Sequence, residues 1–143
     1  MKYIFLDIDG VMDNSSDRIA NNISDFRPYI SDRTLSLLKY LLEKTDAEIV
    51  LTSELRRDIN FKRYFWACLE DYDIATSWNY ETRYIPSGNK SDEINEFLGN
   101  RAYIDAFVVL DDACLEVENL VRVDASGGLQ QKDVDEAIKI LNA

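Results

Sequence analysis

Short apolar runs alternate along this chain with segments whose apolar residues recur at helical spacing, and that alternation restricts it to βαβ architecture. Tyr3-Ile4-Phe5-Leu6 reads as a buried strand ending at Asp7, and Glu48-Ile49-Val50-Leu51 as a second ending at Thr52. Phe107-Val108-Val109-Leu110 enters Asp111-Asp112, and Leu120–Val123 precedes the turn Ser126-Gly127-Gly128. Between them, the spacing predicts a helix over 33–44 with Leu35, Leu38 and Leu42 on one face and Asp32 as N-cap. Further helices are predicted over 57–70, burying Phe61, Phe65, Cys68 and Leu69, and over 90–98, with Ile94, Phe97 and Leu98 inward and Gly99 as the stop. A last helix carries Val134, Ala137, Ile138 and Leu141, and Ile74–Trp78 reads as one more strand. With no repeat, low-complexity stretch or linker, residues 1–143 form a single α/β domain with a mainly parallel sheet.

Composition narrows the chemistry. The 143 residues include no histidine, which excludes Ser-His-Asp and Cys-His catalysis, phosphohistidine and His-ligated zinc. Sixteen basic and 27 acidic residues leave a net charge of −11, which disfavours broad nonspecific binding to nucleic acid but leaves room for a local basic site. Cys68 and Cys114 form no CxxC pair; both lie in apolar segments and read as buried, reduced thiols. Only four apolar residues separate Met1-Lys2 from Asp7, too few for a signal-peptide core, and no apolar run is long enough to span a membrane. A cytoplasmic location is the expectation.

In an open α/β sheet, ligands bind at the carboxyl ends of the strands, so Asp7, Thr52 and Asp111-Asp112 converge on one edge. Four carboxylates there, counting Asp9, repel one another unless a cation lies among them. An all-oxygen donor set of this kind suits a hard divalent ion. The motif Asp7-Ile8-Asp9-Gly10-Val11 follows the first strand directly.

With that motif, the chain resembles the haloacid-dehalogenase (HAD) superfamily of aspartate-nucleophile phosphatases. The likeness rests on DIDGV at 7–11, strand-terminal Thr52, Lys90 opening a helix, and Asp111-Asp112 after a later strand. The intervals of 45, 38 and 21 residues fall in the family's order. The resemblance implies a Rossmann-like fold with helices on both sheet faces. It implies that Asp7 attacks phosphorus to form an aspartyl-phosphate, while Asp9 protonates the leaving oxygen and then deprotonates water. Thr52 would bind a phosphoryl oxygen, with Ser53 the alternative one register away, and Lys90 would neutralise charge unless it is an ordinary solvated helix residue. Mg²⁺ would be held by Asp7, the Asp9 carbonyl and Asp112, with Asp111 acting directly or through water. Arg56 carries two readings, contact with substrate phosphate or neutralisation of nearby carboxylates.

The segments from 11 to 33 and from 53 to 89 are too short for an independent cap, so no substantial cap domain is expected. An open site suits a phosphate on a macromolecule, or a cap lent by another subunit acting on a small metabolite. Arg56, Arg57, Lys62 and Arg63, with Trp78, Tyr80, Arg83 and Tyr84, hint at a nucleotide or nucleic-acid end. The sequence TSELR is similar to short HAD domains of nucleic-acid-repair proteins, with Leu55 where Trp is expected. A receiver domain would place its acidic pair first and its lysine last, the reverse of the order here. A catalytically silent phosphate-binding scaffold on the same fold is the remaining alternative.

Overall fold

The four apolar runs satisfy one another's backbone hydrogen bonds in a single sheet of order β2-β1-β3-β4, with every neighbouring pair parallel. The computed structural model describes residues 1–74 and 80–143. The elements are β1 (Lys2–Leu6), α1 (Ser15–Ala20), α2 (Asp32–Thr45), β2 (Glu48–Leu51), a 3₁₀ turn (Glu54–Arg57), α3 (Ile59–Asp71), α4 (Lys90–Gly99), β3 (Ala106–Asp111), β4 (Leu120–Arg122) and α5 (Gln131–Leu141). From β1 the chain runs outward to β2, then crosses back to β3 on the other side of β1. The strand order therefore reverses between β1 and β3, which is where an open α/β sheet opens its ligand crevice.

Alternation along β1 divides the core in two. Ile4 and Leu6 point to the face covered by Leu38 of α2, Phe65 of α3 and Val134 of α5. Tyr3 and Phe5 point to the other face, covered by Ile94 and Phe97 of α4. The α4 side is closed by edge-to-face rings, with Phe97 centred 5.4 Å from both Tyr3 and Phe5. Helices thus occupy both faces of the sheet, α2, α3 and α5 on one and α4 on the other.

Several element ends differ from expectation for local reasons. Ser31, not Asp32, caps α2: its hydroxyl accepts from Thr34 N at 3.2 Å, and Asp32 sits in the first turn, where its charge suits the helix dipole. The helix expected over 57–70 starts at Ile59 because the Asp58 carboxylate takes the Asn60 and Phe61 N–H groups. Arg57 consequently sits with Arg56 on the 3₁₀ turn and not on α3. Gly99 is the last residue of α4, and Asn100 follows as C-cap. The short helix α1, capped by Asn14, was not foreseen. Of the strand expected at Ile74–Trp78, residues 75–78 lie outside the described residues; farther on, Tyr80 O accepts from Leu51 N at 3.1 Å and Thr82 N donates to Leu51 O at 3.0 Å. Cys68 is half-buried, but Cys114 is exposed, against the expectation of two buried thiols. Among the described residues no helix is long and apolar enough to cross a membrane.

Candidate active site

Register places the functional groups in one row. Leu6 of β1 pairs with Leu51 of β2 on one side and Leu110 of β3 on the other, so the next residues, Asp7, Thr52 and Asp111, stand abreast. The ladder continues past the strand ends, with Thr52 N donating to Leu6 O and Asp7 N to Leu110 O, each at 3.1 Å. All three residues are buried. The Thr52 backbone is held at both ends, since its carbonyl also accepts from Arg56 Nη1 at 2.8 Å. Its hydroxyl is not: Thr52 Oγ1 is the buried side-chain polar atom left without a hydrogen-bond partner among the described residues. A buried unsatisfied hydroxyl in a native fold implies a missing partner.

Lys90 enters this row from the first turn of α4, whose N-terminus is fixed by the Asn89 side chain accepting from Ser91 N and Asp92 N. Its ammonium lies 2.8 Å from Asp111 Oδ2 and 3.4 Å from Asp7 Oδ1. Asp111 Oδ1 accepts from Ala113 N at 2.9 Å, so both Asp111 oxygens are occupied. The half-buried Asp112 carboxylate instead lies against Gly10. A Cβ on Gly10 would fall 2.5 Å from Asp112 Oδ2, and the glycine's φ of +83° is one that side chains disfavour. The motif's glycine thus lets the acid pair approach the first loop closely.

The carboxylates outnumber the ammonium, and their protonation reflects it. Burial pushes the Asp7 carboxyl up to about 7; Lys90 draws it down, while Asp111 and Asp112 push it further up. Asp9 is exposed at its tip, yet partial desolvation and the charges of Asp13 and Asp112 raise it. For Lys90, burial works against the charge, but Asp7 and Asp111 prevail and raise its pKa. Carboxylate oxygens of Asp7, Asp111 and Asp112 all lie within 4.8 Å of one another. An all-oxygen cluster with surplus negative charge and a glycine-made cradle fits a hard divalent cation such as Mg²⁺.

A family model described as the HAD domain in Swiss Army Knife RNA repair proteins matches residues 3–134, a span that takes in every one of these groups. The chain belongs to this family. No curated protein and no solved structure matches it.

On this HAD domain the remaining expected residues fall into place differently. Ser53 is buried, and its hydroxyl accepts from Leu55 N at the head of the 3₁₀ turn. Of its two readings, contact with substrate phosphate and neutralisation of nearby carboxylates, Arg56 is placed against a carboxylate, that of Glu93. Its side chain is fully buried, donating from Nε to Thr82 O, from Nη1 to Thr52 O and Ser53 O, and from Nη2 to Glu93 Oε2. It ties β2's end to α4, and so Thr52 to Lys90. Nothing in the sequence marks its partner Glu93, which reads there as one more acid in the first turn of a helix. Asn89 was missed too, although an Asn just before a predicted helix is a recognisable cap.

The basic and aromatic groups expected to gather for a base are largely occupied as well. Lys62 pairs with Glu81, and Arg83 with Glu96. Tyr80 packs edge-on against Tyr3 and Phe97. Tyr84 carries the Arg56 and Arg57 guanidinium groups on its ring at 3.7 and 3.4 Å. Trp78 lies outside the described residues.

Proposed function

We propose that this HAD domain is a Mg²⁺-dependent phosphatase that hydrolyses a phosphate monoester through an aspartyl-phosphate, acting on a nucleotide or nucleic-acid end. The observation that carries the reading is the unpartnered Thr52 hydroxyl, buried in register with Asp7 and held there by backbone bonds on both sides. A phosphoryl oxygen is the partner such a hydroxyl lacks. The family's description places related domains in RNA repair proteins, which supports the nucleic-acid end as substrate.

Asp7 attacks phosphorus in line; a bond forms between its carboxylate oxygen and phosphorus as the bond to the leaving oxygen breaks. Asp9, whose pKa is raised by partial burial and the neighbouring carboxylates, gives its proton to that oxygen. In the second half Asp9, now ionised, takes a proton from water, whose oxygen attacks the acyl phosphate and frees Asp7. Thr52 donates to a phosphoryl oxygen throughout, and Lys90 balances charge on Asp7 and the transferring group. Asp111 aims Lys90, leaving Asp112 free to serve with Asp7 and the Asp9 carbonyl as metal ligands. The ion would supply the positive charge that keeps Asp7 ionised and screens the phosphoryl oxygens.

The test is a screen of phosphorylated compounds with and without Mg²⁺, including nucleotides and oligonucleotides bearing 5′- or 3′-phosphates. The reading expects metal-dependent phosphate release that EDTA abolishes. No release from any compound, with the metal bound, would overturn it.

A further inference from the structure

An open cavity of about 540 Å³ lies between the chain that leaves β1 and the chain that leaves β2. That volume falls within the roughly 300–1,000 Å³ typical of small-molecule sites. Ile23, Pro28 and Tyr29 line one wall, and Asn60, Phe61 and Tyr64 at the start of α3 line the other. Both walls are fixed. Phe61 is anchored in the core, and the Tyr64 hydroxyl accepts from Ile30 N at 2.8 Å, pinning one wall to the other.

The cavity is also joined to the catalytic loop. Tyr29 N donates to Asp13 Oδ2 at 3.0 Å, and Asp13 is held by Arg18 and forms a β-bridge with Asp9. Gly10 N closes the loop by donating to Asp13 O at 2.8 Å. The cavity wall hangs on the Asp13 side chain and the Asp9–Gly10 loop on the Asp13 backbone, so the two meet at one residue.

The lining selects among possible occupants. Tyr29, Phe61 and Tyr64 line the cavity with aromatic surface, Phe61 from within the core, and the exposed Asn60 amide offers donor and acceptor edges. The charges at the rim are mostly engaged: Arg27 pairs with Asp25, Asp58 caps α3 and Arg57 lies on the Tyr84 ring, while Arg63, one turn beyond Asn60, is exposed. Phe26 is wholly exposed beside Arg27. Aromatic surface and an amide edge match a heterocyclic base, whereas an aliphatic chain would leave the amide unused.

We propose that this cavity is the subsite for the base of the nucleotide that carries the scissile phosphate. The proposal rests on the phosphatase reading for its orientation, and it moves base recognition away from the residues around Tyr80 to the loop before α2 and the head of α3.

The variant Asn60→Trp fills the cavity mouth from an exposed position whose backbone N–H, not its side chain, bonds Asp58. Ile23→Glu on the opposite wall is the second variant, in case the first fails to fold. The measurement is kcat/KM on oligonucleotides ending in a phosphorylated nucleotide or in a matched phosphorylated abasic sugar, with acetyl phosphate as a substrate too small to reach the cavity. Wild type should favour the base-bearing end by about 10-fold or more, the scale of one base stacked on aromatics. Either variant should erase that preference and leave acetyl phosphate turnover unchanged. The same preference seen with a mononucleotide supports the site with free nucleotides as its source; an advantage confined to oligonucleotides supports it with strand ends. Equal rates on base-bearing and abasic ends, with phosphatase activity present, would overturn the base site and leave the phosphatase intact. Should no ester be turned over, saturation-transfer NMR with adenosine and cytidine decides. Binding that Asn60→Trp removes supports the site, and no binding overturns it.

Discussion

Two buried ionic clusters flank Thr52, and they are built on opposite principles. In the first, Arg56 spends its donors on three carbonyls and on Glu93, its one carboxylate partner. In the second, Asp7, Asp111 and Asp112 crowd around one ammonium, and Thr52 Oγ1 has no partner among the described residues. The matched cluster acts as scaffold, since a buried ion pair with satisfied hydrogen bonds has little left to offer a ligand. The mismatched one is held open against its own repulsion, and such unresolved charge is characteristic of sites that bind or react. The arginine nearest the phosphoryl row in sequence thus belongs to the fold, while charge left uncompensated belongs to the chemistry.

The largest expected effect separates the clusters at once. Asp7→Asn should lower kcat by about 10⁴-fold or more, as loss of a nucleophile does. In the metal-free protein it should also raise the melting temperature, because it removes a charge that burial opposes. Glu93→Ala should do the reverse to stability, costing about 3–5 kcal/mol by leaving Arg56 buried and unpaired. Urea unfolding measures both, and a stabilising Glu93→Ala would erase the distinction between the clusters.

Thr52→Val comes next. It should lower kcat by about 10²-fold, comparable to losing one oxyanion donor, while unfolding free energy holds or rises because an unsatisfied hydroxyl is gone. A loss of stability without loss of rate would make Thr52 a packing residue.

The smallest effect is in pH. The folded Asp7 carboxyl titrates at about 7, above its ordinary value, so between about pH 4 and pH 7 the folded state holds a proton that the unfolded chain has lost. Stability of the metal-free protein should therefore fall as pH rises through that window. Saturating Mg²⁺ should flatten the fall, and Asp7→Asn should remove it. A metal-free profile that rises through the window would contradict the charge balance assigned to the cluster.

Much of the phosphoryl row was legible in the sequence because strand ends are marked twice, by the close of an apolar run and by the residue that follows. Asp7, Thr52 and Asp111 needed only the parallel register to stand abreast. Lys90 was legible as a helix start. Arg56 was not, because its role depends on Glu93, 37 residues later on a helix whose rotation no local pattern reports. The helix expected from 57 was placed two residues early, since the amphipathic pattern extends back to Arg57 while the Asp58 cap sets the break. The cavity was invisible for a similar reason: the chain around Ile23–Tyr29 has no periodicity, and only its bonds to Asp13 and Tyr64 give it a place.

The central claim is that the mismatched cluster transfers a phosphoryl group to Asp7, and a trapped intermediate tests it most directly. Asp9→Asn retains the nucleophile but cannot activate water, so incubation with Mg²⁺ and acetyl phosphate should accumulate phosphoprotein. Acid quench and peptide mapping should place the phosphoryl group on the segment holding Asp7, and Asp7→Asn should carry none. Label on the segment holding Asp111 and Asp112, or full turnover of esters by Asp7→Asn, would contradict the account.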